Sequence, residues 1–133
     1  DGDTAVYFEG ANVLHAGDLF FNKRFPFIDT ESGGGVGAYL SSQEKLLGMI
    51  NDDTQVIPGH GPIARRSDLM AVHAMIRATR RSVTEGIGAG LSLSSIQEKG
   101  LDDVYQSFAW AFISEARWIE TLYWDVIESN AVQ

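Results

Sequence analysis

The sequence predicts an α/β layer protein, and three features carry that reading. Two β-rich runs, Thr4-Ala-Val-Tyr-Phe8 and Val13-Leu-His15, stand near the start with turn residues between them. Apolar residues at Val36, Tyr39, Leu40, Leu46, Leu47 and Ile50 then follow helical spacing, before a further short strand at Thr54-Gln-Val-Ile57. The chain closes on helical patterns, the last with a doubled apolar stripe of Trp118, Ile119, Leu122, Tyr123, Val126 and Ile127. Strands, then helix, strand and helices, bury their apolar faces best as helices layered on a sheet.

The turn-like Glu9-Gly-Ala-Asn12 makes the first two runs a hairpin whose second strand leads to Asp18, with Leu19-Phe-Phe21 extending it. Residues 22–35 lack periodicity and carry Arg24-Phe-Pro-Phe-Ile-Asp29 and Ser32-Gly-Gly-Gly35. This segment is expected to be a loop that shapes a pocket, with Asp29 and Ser32 as candidate substrate contacts. An apolar flap packed on the core explains Phe25, Phe27 and Ile28 equally well. The three glycines read as a flexible entry to the helix that runs from Gly35 to Asn51, in preference to an anion site.

Pro58 to Pro62 is expected to stop the strand at Thr54–Ile57. Ser67 is a good N-cap for the next helix, with Asp68 in its first turn. Leu69, Val72, Ile76, Val83 and Ile87 line one face of that helix, and Arg77, Arg80 and Arg81 form a solvated one. His73, mid-helix among apolar neighbours, reads as a core or surface residue without chemistry. Gly86-Ile-Gly-Ala-Gly90 ends the helix. A short helix follows, capped by Ser92, stapled by Leu91 and Ile96 and closed by Gly100. Tyr105 to Phe112 fits a helix or irregular aromatic packing, and the final helix should begin near Ser114.

A chain of 133 residues with 44% hydrophobic and 21% charged content fits one compact domain. Zero cysteines exclude disulfides, thiolate metal sites and a cysteine nucleophile, and they leave the compartment open. A net charge of −8 argues against sequence-independent nucleic-acid binding, which needs cations to displace counterions. No apolar run is long enough to span a membrane.

Two strand-end turns carry the chemistry. In Asn12-Val-Leu-His-Ala-Gly-Asp-Leu-Phe20 a Gly-Asp turn presents Asp18, and in Val56-Ile-Pro-Gly-His-Gly-Pro62 a tighter turn presents His60. Glycines beside a ligand let the backbone turn sharply and approach a bound group. Asp18 alone would be read as a turn cap. Paired with His60 it reads as part of a metal site on a sheet, a carboxylate and a neutral imidazole being donors that suit zinc. His15, in the same strand-to-turn segment as Asp18, is either a group that orients the carboxylate or a buried, hydrogen-bonded histidine.

At these residues the chain resembles the C-terminal half of a metallo-β-lactamase-fold hydrolase. The Gly-Asp turn, the later Gly-His-Gly turn, the opening Asp1-Gly-Asp-Thr-Ala-Val-Tyr-Phe8 and the Ile119…Tyr123 pattern of the last helix carry the likeness, which spans nearly all of residues 1–133. The family's His-x-His-x-Asp-His motif, which belongs to its N-terminal half, occurs nowhere in the sequence. The resemblance implies half of an αββα sandwich: one mixed sheet with helices on its outer face. It implies that Asp18 bridges two zinc ions in a complete enzyme and that His60 completes the second. Asp1 and Asp3 would follow the family's third histidine. The implied reaction is attack by metal-bound hydroxide on an ester, thioester or amide-like bond of a small-molecule substrate.

With only two protein ligands, this chain alone is expected to bind zinc weakly or not at all and to be inactive. The alternatives are a non-catalytic assembly or interaction domain with vestigial metal turns, or a site built from two copies. The sheet face that would meet the other half, expected to carry Val6, Phe8, Val13, Val56 and Ile57 or their alternating neighbours, predicts a homodimer or larger assembly.

Overall fold

The computed structural model describes residues 4–30 and 35–131. Asp1, Asp3 and Ser32 lie outside the described residues. Strands β1 (Val6–Phe8), β2 (Val13–Phe21) and β3 (Gln55–His60) form one mixed sheet in the order β1-β2-β3. The β1–β2 hairpin is antiparallel, and β3 runs parallel to β2. A parallel neighbour needs a crossover, which helix α1 (Val36–Met49) supplies.

The hairpin turns through a short 3₁₀ segment, Glu9–Ala11, and closes at Asn12, whose φ of 54° lies in the left-handed region. Asn is among the few side chains that tolerate this conformation. Asn12 also knits this end of the sheet together: its Oδ1 accepts from the Tyr7 hydroxyl at 2.8 Å and the Thr54 hydroxyl at 2.7 Å.

Register decides which residues the two faces carry. Tyr7 pairs with Leu14, and Leu14 with Val56, so these three share the face that the helices cover; Leu14 and Val56 are fully buried. Val6, His15 and Ile57 form one row of the opposite face, and Phe8, Val13 and Gln55 the next. Val56 therefore does not belong with Val6 and Phe8, because side chains alternate along a strand and its partner Leu14 faces the core.

Strand β3 is also longer than the sequence suggested. It passes through Pro58 and ends at His60, with register shifts against β2 around Gly17. Proline is tolerated because β3 is paired along its length only with β2, so a missing N–H costs no ladder bond on the open side. On that side a single antiparallel bridge joins Val56 to Ala64, with both N–H···O bonds at 2.8 Å.

Helices α2 (Arg66–Gly88), α3 (Leu93–Lys99) and α4 (Glu115–Ala131) complete the layer, with a 3₁₀ segment at Asp103–Phe108. Trp118, Phe20, Phe25, Leu14, Leu69 and Ile76 lie at the centre of the core, all fully buried. The expected cap holds at Ser92, whose hydroxyl accepts from Ser95 N–H at 3.2 Å; the last helix begins next to Ser114 as expected, and there the Ser114 hydroxyl accepts from Arg117 N–H at 3.1 Å. Helix α2 starts earlier than the Ser67 cap predicted. Asp68 accepts from the Arg65 N–H at 2.9 Å, satisfying the donor one step before the helix, so Arg65 is the cap residue.

Arg80 does not lie on a solvated face. Its Nε pairs with Asp125 Oδ2 at 3.0 Å, and the other carboxylate oxygen accepts from Val36 N–H at 2.9 Å. The packing of α4 on α2 brings this acidic residue to the first turn of α1, where unpaired N–H groups favour negative charge. No helix among the described residues is long and apolar enough to cross a membrane.

Candidate metal centre and its aromatic recess

Asp18 and His60 converge at one end of the sheet. Asp18 Oδ1 lies 3.6 Å from His60 Nε2, with the two side chains 58% and 44% exposed. That separation is long for a hydrogen bond. Two ligands each at ~2.0 Å from a tetrahedral ion stand about 3.3 Å apart, so the pair fits as two donors to one cation. Among the described residues no group of three or more His, Asp or Glu side chains gathers to hold a metal.

The backbone explains how the pair meets. Gly59 sits where any side chain would collide: a Cβ there would land on Asp18 Oδ1 and lie 2.7 Å from the Gly17 carbonyl oxygen. The close pass of β3 over the Gly17–Asp18 turn is possible only because Gly59 has none. Gly61 follows with φ of +102°, and a Cβ there would lie 2.6 Å from the Asn22 carbonyl oxygen. Asn22 then latches the turn, its N–H donating to His60 O at 2.9 Å and its side-chain amide to Pro62 O at 2.9 Å. From the other side the Tyr39 hydroxyl donates to the Asp18 carbonyl at 2.8 Å, tying α1 to the aspartate turn.

His15 is exposed, not buried. Its Nδ1 accepts from the Gly17 N–H at 3.3 Å, so it steadies the backbone immediately before Asp18. Asp29 is exposed and lies beyond Phe27 in the loop after β2. It is not among the residues that line the recess at Asp18 and His60.

That recess has a volume of about 320 Å³. Phe21, Phe27, Trp110, Phe112 and Ile113 make its walls, and Asp18, His60 and Arg117 are its polar groups. The His60 ring stacks flat on Phe21, centroids 4.8 Å apart at 7°, and meets Trp110 at 5.5 Å. Stacking restricts the imidazole to one plane, which presents Nε2 to Asp18. Trp110 is held by its indole N–H donating to Phe25 O at 2.8 Å, and the Phe25 N–H in turn donates to Phe108 O at 2.9 Å. The aromatic stretch after α3 is therefore a wall of the site.

Sequence reading singled out Asp18 and His60 and missed the groups that hold them, Tyr39, Asn22, Phe21 and Trp110, as well as Arg117 on the recess wall. The density of aromatics from Tyr105 to Phe112 was the one available signal, and it did not say where they pack.

No family model matches the chain, and no curated protein matches it closely enough to count. Among solved structures, the chain is similar to a double mutant of the sec-alkyl sulfatase PisA1, with a TM-score of 0.64 at 15% identity. The likeness covers 97% of this chain and 23% of that one. A crystal structure of VMB-1 aligns with 54% of this chain and 33% of its own length, at 21% identity and a TM-score of 0.45. The chain thus spans less than a quarter of the length of the sulfatase that it matches along nearly its whole extent. At such identity the likeness speaks to fold: an α/β half domain of the metallo-β-lactamase type, one mixed sheet with helices packed on it.

Proposed function

We propose that this chain supplies Asp18 and His60 to the divalent-metal site of a metallo-β-lactamase-like hydrolase, as the C-terminal half of that domain. The observation that carries the reading is the 3.6 Å approach of Asp18 Oδ1 to His60 Nε2, at strand ends brought together by Gly59 and open to a recess. The occurrence of this fold in a sec-alkyl sulfatase supports a hydrolytic role. Zinc suits one carboxylate and one imidazole, and when bound it supplies Lewis-acid polarisation and water activation near neutral pH. The remaining ligands would come from protein outside the described residues.

What the chain's own residues do is position and exclude. The stack of His60 on Phe21 and the Tyr39 hydrogen bond behind Asp18 hold both donors ready, which lowers the ordering cost of binding. The apolar wall lowers the local dielectric around a bound ester, thioester or amide-like bond. A second reading, a non-catalytic interaction domain, is supported by the exposed Val6 and Phe8 on the open face of the sheet.

A zinc titration followed by NMR separates them. After dialysis, elemental analysis should find far less than one zinc per chain, since two donors forgo most of the chelate advantage. At excess zinc the His60 imidazole resonances should shift, and Asp18→Asn should weaken that response several-fold. A zinc response centred on His73, or one indifferent to Asp18→Asn, would remove the support for the metal reading.

A further inference from the structure

We infer that the recess beside Asp18 and His60 is a subsite for a small organic anion with an aromatic body. Its ring lies against Trp110, Phe112 and Phe27, and its anionic group is taken by Arg117. The inference rests on the proposal that this end of the sheet is a ligand site, but not on a metal being bound there.

The walls show what body fits. Phe27 and Phe112 are 51% and 69% exposed although both line the cavity, so two phenyl rings stand open to water at a concave site. Large apolar side chains left exposed around a recess mark a binding surface. Trp110 meets Phe112 edge-on at 5.2 Å, an arrangement that a further aromatic ring can extend. A cavity of about 320 Å³ suits a bicyclic aromatic better than a polymer or a peptide.

The charges show what headgroup fits. Arg117 Nη1 donates to the Phe112 carbonyl at 2.8 Å, and its guanidinium stands 5.8 Å from the Phe27 ring centre. It is exposed and forms no ion pair among the described residues, so its remaining donors are free to take a ligand acceptor in place of water. Arg24 lies over the Trp110 ring at 5.0 Å and likewise has no carboxylate partner among the described residues. The chain carries 18 acidic against 10 basic residues, yet Arg117 in the recess and Arg24 over Trp110 have no acidic partner among the described residues. A planar guanidinium fixed at one N–H and free at the others is suited to a bidentate carboxylate or sulfonate. Asp18 is the opposing charge at the cavity, and it makes a cationic aromatic the rival ligand.

The test is an NMR titration of the chain, without added metal, with naphthoate, naphthylmethanol and naphthylmethylammonium. Naphthoate should shift the Trp110 indole and the Phe112 amide, and should bind about ten-fold tighter than the neutral alcohol. Arg117→Gln should bring naphthoate down to the affinity that the alcohol has for the same variant. Arg117→Lys should keep part of the preference, and Phe112→Ala should weaken all three probes.

Equal binding of naphthoate and alcohol, tightest binding of the ammonium, or a preference that survives Arg117→Gln would overturn the inference. So would shifts centred on Val6 and Phe8, which would mark adherence to the outer sheet face. Asp18→Asn separates this result from the metal reading: it should weaken the zinc response several-fold while naphthoate binding persists or strengthens. A chain that binds naphthoate but shows no response to zinc would sink the metal proposal alone.

Discussion

At the scale of single residues, Gly59 and His73 have opposite roles, one set by the absence of a side chain and the other by its burial. A methyl group at Gly59 must displace both the Asp18 carboxylate and the Gly17 carbonyl. Gly59→Ala should therefore cost about 1–3 kcal/mol in chemical denaturation, the range for overpacking, and should abolish the zinc-induced shift of His60. His73 is buried, with Nδ1 3.2 Å from Gln43 Oε1 and Nε2 3.5 Å from Glu44. Gln43 Nε2 donates to the Leu19 carbonyl, which leaves Oε1 to accept and so assigns the proton to His73 Nδ1. Burial holds the imidazole below its usual pKa of 6.5, with Arg77 adding to the effect and Glu44 opposing it. The folded state thus binds fewer protons than the unfolded one, so this contribution is complete above pH 6.5 and is lost as pH falls from there to the folded value. Urea midpoints should fall less between about pH 7 and about pH 5 in His73→Met than in the parent chain. Parallel curves would refute the assignment.

At the scale of elements, Asp125 is the joint of the helical layer. One carboxylate, 6% exposed, binds the first turn of α1 through Val36 N–H and α2 through Arg80, and it does so from α4. Removing it leaves a partly buried guanidinium and an unsatisfied helix N–H. Asp125→Ala should destabilise the chain by about 2–4 kcal/mol, and Asp125→Asn by less because it can still accept from Val36. Melting curves of the two variants check the order. An Asp125→Ala protein as stable as the parent would show that solvent compensates Arg80.

At the scale of the whole molecule, the open face of the sheet invites association. Val6 and Phe8 are 45% and 55% exposed there, with Val13 and Ile57 half-buried beside them. His15 and Gln55 interrupt this surface, and Val56 faces the core, so the patch is narrower than the strand sequences alone predict. We still expect a dimer or larger, because covering apolar surface returns roughly 25 cal/mol per Å² and a two-fold copy is the simplest cover. Light scattering behind a sizing column at micromolar concentration should show it, and Phe8→Lys should shift the population toward monomer. A parent chain that stays monomeric and binds no hydrophobic dye would argue against this.

The order of elements, their helical or extended character, the cap at Ser92, the start of the last helix near Ser114, and the two turns at Asp18 and His60 were all determined by the sequence itself. Each depends on chemistry within a few residues: apolar period, a side chain that caps its own backbone, a glycine beside a donor. Tertiary structure alone decided that Val56 faces inward with Leu14, that Arg80 reaches Asp125, and that Phe21 and Trp110 flank His60. It also decided that Arg117 and Phe112 close a recess around Asp18. These contacts join positions far apart in the chain, and many side chains of similar size and polarity would satisfy the same local pattern. Only register and close packing select among them.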